Sequence, residues 1–211
     1  KAEMKAAAFE MAEQVEKLVK VYKNTKVDAQ MLKDADVDAV ILAIGSSPIT
    51  IKLEGMDKLQ HASAPEVLRH EVCPKGKVAV IGGGLVGLET ADTLATDGCD
   101  VTVLEMKDEI GSDLGSLRKI AVMMKLQQMQ VKMLPNSKVC KFTEEGIVLE
   151  DETLVPCNCA VFAVGFASND SHLLVEECEK RQIPCRVIGD AKSARRALDA
   201  IAEGFEAART L

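Results

Sequence analysis

Apolar residues recur at helical spacing near both ends of the chain and in short unbroken runs between them. Near the start, Met4, Ala8, Met11, Val15 and Leu18 are separated by alternating steps of four and three, with charges between them. This spacing predicts a helix over residues 1–20 with one buried stripe. Residues 19–22 read as a short strand and 28–35 as a short helix. Residues 38–44, DAVILAI, form a continuous apolar run of the kind found in a strand covered on both faces, and the run stops at Gly45, Ser46, Ser47 and Pro48. A connector over 49–76 holds a small helix that should begin at Ser63, because Ser63 and Glu66 have capping-box spacing and Pro65 falls in the first turn. His61 and His70 flank that helix and read as solvated surface histidines.

Beyond residue 116 the pattern predicts a helix over 117–129 and a strand over 131–134. Runs at 139–142, 146–149 and 153–155 are separated by acidic or glycine turns, which suggests an antiparallel meander. Residues 160–166, AVFAVGF, read as another buried strand, 173–181 as a helix, and 186–188 as a short strand leading into Gly189 and Asp190. Leu198, Ile201, Phe205 and Ala208 have the spacing of a buried stripe on a closing helix.

The chemistry concentrates in residues 77–105, KVAVIGGGLVGLETADTLATDGCDVTVLE. The apolar run 78–81 leads straight into Gly82, Gly83, Gly84, Leu85, Val86 and Gly87, and after an amphipathic segment the run 101–104 ends on Glu105. Strand, glycine turn, helix and second strand in that order make a phosphate cradle. Gly82 allows the tight turn, Gly84 admits a pyrophosphate to the backbone, and Gly87 lets the helix pack close to the sheet. The free N–H groups and the positive dipole end of the helix then face the phosphates. Glu105 lies 105 − 82 = 23 residues after the first glycine, near the roughly 20 expected for an acid that accepts hydrogen bonds from a ribose 2′-OH. A carboxylate there repels the extra phosphate of NADP, so the pocket reads as one for NAD(H), with Lys107 acting weakly against that preference.

The length, 211 residues, allows one large domain or two small ones. A net charge of −7 argues against nucleic acid and against anionic membrane surfaces, so local backbone dipoles must hold an anionic dinucleotide. No apolar run reaches the length of a membrane span and no signal peptide is visible. The seven cysteines show neither CxxC nor metal-ligand spacing, which predicts a reducing, cytoplasmic setting and no metal. Cys157 and Cys159, two apart, should point to one face of a strand as small buried residues.

An internal repeat runs through these elements. Asn24, Thr25, Lys26 and Val27 match Asn136, Ser137, Lys138 and Val139 at an offset of 112, and residues 40–45 match 160–165 at an offset of 120. Both copies order a strand, N-[ST]-K-V, and an apolar strand ending in A-x-G. Carried back by 112, the glycine motif would begin at 82 − 112 = −30, before residue 1. Together with a first residue that is lysine and not methionine, this leads to the expectation that the chain is a fragment from which a first glycine motif has been removed.

Two stretches, VIGGGLVGLETADTL and VIGDAKSARRALDAIAEGFEAAR, resemble the pyridine nucleotide-disulfide oxidoreductases, and most closely the C-terminal module of old-yellow-enzyme-like NADH:flavin oxidoreductases. The resemblance implies an α/β fold: a Rossmann-like parallel sheet with an antiparallel β-meander, the NAD domain, inserted in a truncated second Rossmann-like domain of FAD type. It places residues 1–70 and 169–211 in the FAD-type unit and 71–168 in the NAD(H) unit. It implies that Gly189 and Asp190 hold the ribityl and phosphate portion of FAD, and that Val27 offers backbone groups to the FAD adenine. By the same repeat, Val139 and Gly165 join the glycine motif and Glu105 in the NAD(H) site, and Ala43 and Gly45 match the family's A-T-G strand end. Ile44 replaces its threonine, which removes any hydroxyl contact there. Glu89 falls where related proteins carry an acid near the flavin–nicotinamide junction. The disulfide chemistry does not transfer, because no CxxxxC or CxxC pair exists.

These features lead to an expected role: an NAD(H)-binding fragment of an oxidoreductase that takes hydride from NADH to FAD. It would pass electrons to an N-terminal barrel of the same polypeptide carrying FMN and an iron–sulfur cluster, for reduction of an unsaturated or similar small substrate. The lack of a His, Ser or Cys constellation suits an electron-transfer module, where cofactors carry the reaction, better than a hydrolase. The competing expectation is a non-catalytic NADH-binding redox sensor or assembly module.

Overall fold

The structure is a computed structural model describing residues 2–211, with side chains from residue 6 onward; the Met4 side chain of the expected stripe lies outside the described residues. In chain order, α1 (Ala2–Leu18) and α2 (Ala29–Asp34) precede β1 (Val40–Leu42), β2 (Ser46–Pro48), β3 (Gln60–Ser63) and α3 (Ala64–Leu68). Then come β4 (Lys77–Ile81), α4 (Leu85–Thr96), β5 (Asp100–Leu104), α5 (Ser116–Gln128) and β6 (Lys132–Leu134). The meander is β7 (Val139–Thr143), β8 (Gly146–Leu149) and β9 (Leu154–Pro156). The chain closes with β10 (Cys159–Phe162), β11 (Phe166–Ser168), α6 (His172–Lys180), β12 (Cys185–Val187) and α7 (Ala197–Thr210).

The main sheet has five strands in the order β3-β10-β4-β5-β6, every pair parallel. Its central strands are apolar at nearly every position because both faces are covered. On one face Val78, Val80, Val101, Val103 and Val161 pack with Leu88, Ala91 and Leu94 of α4 and Leu126 of α5. On the other, Ala79, Ile81, Leu104, Ala160 and Phe162 meet Phe142, Ile147 and Val155 of the antiparallel meander. The fold class read from the sequence is thus observed.

The repeat has a structural counterpart. Asn24 and Asn136 are both left-handed, at φ 54° and 53°. Strands β2 and β11, which follow Gly45 and Gly165, pair antiparallel with each other. Their ends exchange matched bonds, Ile49 N to Gly165 O at 3.0 Å and Asn169 N to Gly45 O at 3.0 Å.

Several expectations are corrected. Helix α1 forms, but Met11, Val15 and Leu18 are 57%, 48% and 83% exposed, so its stripe is not buried. The same holds for α7, where Leu198, Ile201 and Phe205 are exposed and only Ala207 is buried. Periodicity shows that a face is apolar, but it does not supply the surface that covers it. Residues 19–22 form no strand, since no neighbouring ladder among the described residues pairs with them. The run at 38–44 contributes only β1, paired on one side with β12, and leaves Ile41 exposed. The run at 160–166 breaks after Phe162, and Phe166 starts a strand of the other hand of pairing. Strand β3 lies inside the stretch read as a connector; its sequence, QHAS, is polar because it sits at a sheet edge. Cys157 and Cys159 enter opposite packing layers, as Cys157 precedes the strand and escapes its alternation.

Helix α3 begins where the capping box places it. Glu66 Oε2 accepts from Ser63 N at 2.7 Å and from Ser63 Oγ at 2.6 Å. Ser63→Ala is expected to lower stability by about 1 kcal/mol, read as a shift in the urea midpoint without a change in slope.

Candidate dinucleotide site

A cavity of about 520 Å³ opens at the C-terminal ends of β4, β5 and β10, the place where ligands bind in open parallel sheets. Gly82, Gly84, Leu85, Val86, Glu105, Val139 and Gly165 line it, together with Lys107, Asp113 and Lys138. The turn that shapes it tolerates no side chains. Gly82 sits at φ +109°, where a Cβ would lie 2.5 Å from the Ala163 carbonyl oxygen. A Cβ on Gly87 would lie 1.9 Å from the Gly82 carbonyl oxygen, so helix and turn are in direct backbone contact.

Helix α4 starts at Leu85 with Gly84 as its N-cap, which offers no side chain to its free amides. Those amides face the cavity mouth, and Leu85 N donates instead to both carboxylate oxygens of Asp113, at 3.1 and 3.0 Å. A carboxylate of the chain itself thus caps the helix terminus.

Glu105 is half-buried at the end of β5. Its Oε2 accepts from Gly83 N at 2.7 Å and its Oε1 from Lys107 N at 2.9 Å, which fixes the carboxylate over the turn. The second N-[ST]-K-V copy packs beside it, with Ser137 N donating to Glu105 O at 2.7 Å and Asn136 N to Lys107 O at 2.8 Å. Among the described residues no glycine turn lies opposite the first copy, and Val27 is half exposed in the loop before α2. Gly83 and Gly87 lie behind the cavity wall. Glu89 stands outside the cavity, on the face of α4 turned to α5, where Arg118 donates to its Oε1 at 3.0 Å.

Gly45, Gly189 and Asp190 form a second group, with exposed Ala43 at the end of β1 nearby in sequence. Asp190 Oδ2 accepts from Ser46 Oγ at 3.1 Å, Oδ1 from Arg195 N at 3.2 Å, and its carbonyl from Ser168 Oγ at 2.7 Å. Gly189 N donates to Glu203 Oε2 at 2.7 Å. Arg195, above all, and then Gly189 N hold the Glu203 carboxyl down at about 2, against an ordinary 4.5. A lowered value means that these bonds stabilise the fold above the ordinary carboxylate range and are lost as pH falls through the folded value. Urea midpoints are therefore expected to fall as pH drops from about 4.5 toward 2, and Glu203→Gln should flatten that acid limb. Burial raises the Cys157 and Cys159 thiols to about 11, which keeps them inert.

Asp113 and Ser46 carry no motif, and Glu203, though inside the second resemblance stretch, has no role marked by it. Each reaches its partner across tertiary distance, and only the position of Asp113 just before a helix hints at a capping acid.

A family model for the pyridine nucleotide-disulphide oxidoreductases matches residues 3–190. The chain belongs to this family. Bilirubin reductase of Mediterraneibacter gnavus is 36% identical over 87% of the chain, and cinnamate reductase of Clostridium sporogenes 34% identical over 92%. The chain spans 29% of the length of each of these two relatives. Among solved structures, 2-naphthoyl-CoA reductase superposes with a TM-score of 0.83 at 24% identity, over 95% of this chain and 31% of that one. Histamine dehydrogenase from Rhizobium sp. 4-9 follows at a TM-score of 0.76 and 14% identity, over 89% of this chain and 33% of that one. At those identities the likeness establishes the fold. No helix among the described residues is long and apolar enough to cross a membrane.

Proposed function

We propose that this chain is the NADH-holding part of a flavin-dependent oxidoreductase that takes hydride from NADH to FAD. The electrons pass on to a flavin barrel of the same polypeptide, bearing FMN and an iron–sulfur cluster, that reduces an unsaturated or similar small substrate. In this reading residues 71–168 hold NADH, and 1–70 with 169–211 contribute to an FAD-type unit. The carrying observation is the N-terminus of α4, capped by a glycine and bordering a 520 Å³ cavity, with the fixed carboxylate of Glu105 across the turn. The reductase names of the relatives support the reaction class.

The amides at the start of α4 bind the pyrophosphate, and Glu105 orients the adenosine ribose. Val139 and Gly165 border the path of the dinucleotide along the strand ends. Gly45, Gly189 and Asp190 are the chain's contribution to the flavin, Ser46 orienting the Asp190 carboxylate; Ala43 and Val27 complete that assignment. Bound NADH supplies the hydride, and the protein's part is geometry and exclusion of water. The family resemblance alone assigns Glu89 to the hydride step, since its contact with Arg118 lies outside the cavity. Glu89→Gln should leave NADH affinity unchanged and slow NADH-dependent flavin reduction by about 10²-fold, and an unchanged rate removes Glu89 from the reaction.

Titration of the chain with NADH, followed by amide resonances, tests the reading. Shifts of residues 82–87 and of Glu105 are expected. No movement at saturating NADH rejects it.

A further inference from the structure

The pyrophosphate position proposed above is filled in this chain by its own carboxylate. Asp113 accepts twice from Leu85 N, and a Cβ placed on Gly84 would come within 3.2 Å of Asp113 Oδ2. The acid thus stands in the space that the absent side chain of Gly84 leaves open. It comes from the irregular segment 106–115, between β5 and α5, and is itself exposed. That segment is anchored on both sides of Asp113: Gly111 N donates to Gly83 O at 2.7 Å, and Ile110, 6% exposed, and Leu114 pack into the core beside α4. Gly111 and Gly115 bracket Asp113, and a Cβ on Gly115 would meet nothing within 4 Å.

We propose that Asp113 is a built-in competitor for the pyrophosphate and sets the affinity of the site. One anion replaces another at the helix terminus, so NADH gains only the difference between a diphosphate and a carboxylate at the same amides. The exposed Asp113 side chain leaves the Leu85 amide when the dinucleotide enters and returns when it leaves, while Ile110 and Leu114 stay in the core. This rests on the NADH reading of the site, and it separates adenosine, which needs no displacement, from ADP and NADH, which do.

Calorimetric titration of the full chain and of Asp113→Asn with NADH, ADP and adenosine tests the proposal, with the fold checked by circular dichroism. Asparagine keeps a neutral capping oxygen but loses the charge, so NADH and ADP should bind about tenfold more tightly, and adenosine unchanged. Equal or weaker ADP binding by the variant, with normal binding by the parent chain, overturns the competitor and leaves the NADH reading standing. Absence of NADH and ADP binding by both proteins overturns the two together. The parent chain gives a second readout that needs no variant. On ADP addition the amide resonance of Asp113 should shift in step with that of Leu85, whereas a shift of Leu85 alone overturns the displacement.

Discussion

Gly87→Ala is expected to abolish measurable NADH binding and to lower stability by about 1–3 kcal/mol, the range for a methyl forced into a filled space. The added Cβ would sit 1.9 Å from the carbonyl oxygen of Gly82 and 3.4 Å from the Ala163 Cβ. A backbone oxygen cannot turn aside as a side chain can, so α4 must lift away from the turn. The turn is held in its own place by Gly82 N donating to Leu104 O at 2.8 Å. Lifting the helix carries the amides of Leu85 and Val86 with it, and a displacement near 1 Å at a positioning group costs on the order of 10²-fold. Gly98→Ala is the matched control. Gly98 also sits at positive φ, +86°, but a Cβ there would meet nothing within 4 Å. It should lose about 1–2 kcal/mol of stability to backbone strain with NADH affinity intact. Urea unfolding and NADH titration of both variants separate the outcomes: Gly87→Ala destabilised but binding normally would mean that the helix terminus does not hold the phosphates.

The parts of this fold that were legible share one property, that local chemistry and tertiary role agree. Strands β4 and β5 are apolar runs because both sheet faces are covered, and the glycines between them sit where backbone meets backbone. The start of α3 was legible because Ser63 and Glu66 satisfy each other within four residues. Elsewhere the determinant lies outside the segment. Strand β3 owes its existence to β10, and QHAS carries no alternation that would announce it. The stripes of α1 and α7 are apolar yet exposed, since burial belongs to the partner surface. At the site, spacing located the glycine turn and Glu105, while Asp113 reaches Leu85 from 28 residues away with no motif to mark it.

Glu105→Ala is expected to weaken NADH by about 10- to 100-fold, as charged hydrogen bonds contribute about 1.5–3 kcal/mol, and to erode the preference over NADPH. The carboxylate already uses one lone pair on each oxygen, for Gly83 N and Lys107 N. A carboxylate offers about four acceptor sites, so two remain for ribose hydroxyls, in an orientation that the two backbone bonds have fixed. The same charge opposes a 2′-phosphate at short range, by about 1–4 kcal/mol at 4 Å between the limits of water and a protein surface. Alanine removes both effects and frees the Gly83 and Lys107 amides, with Lys107 beside them, to face a phosphate. NADPH should therefore lose less affinity than NADH, or gain some, and the NADH-to-NADPH ratio should fall by at least about tenfold. If Glu105 only fastens the turn, its loss would weaken NADH and NADPH by one common factor. Paired titrations of parent and variant with the two nucleotides distinguish these cases, and an unchanged ratio removes Glu105 from the ribose and leaves it a clamp on Gly83.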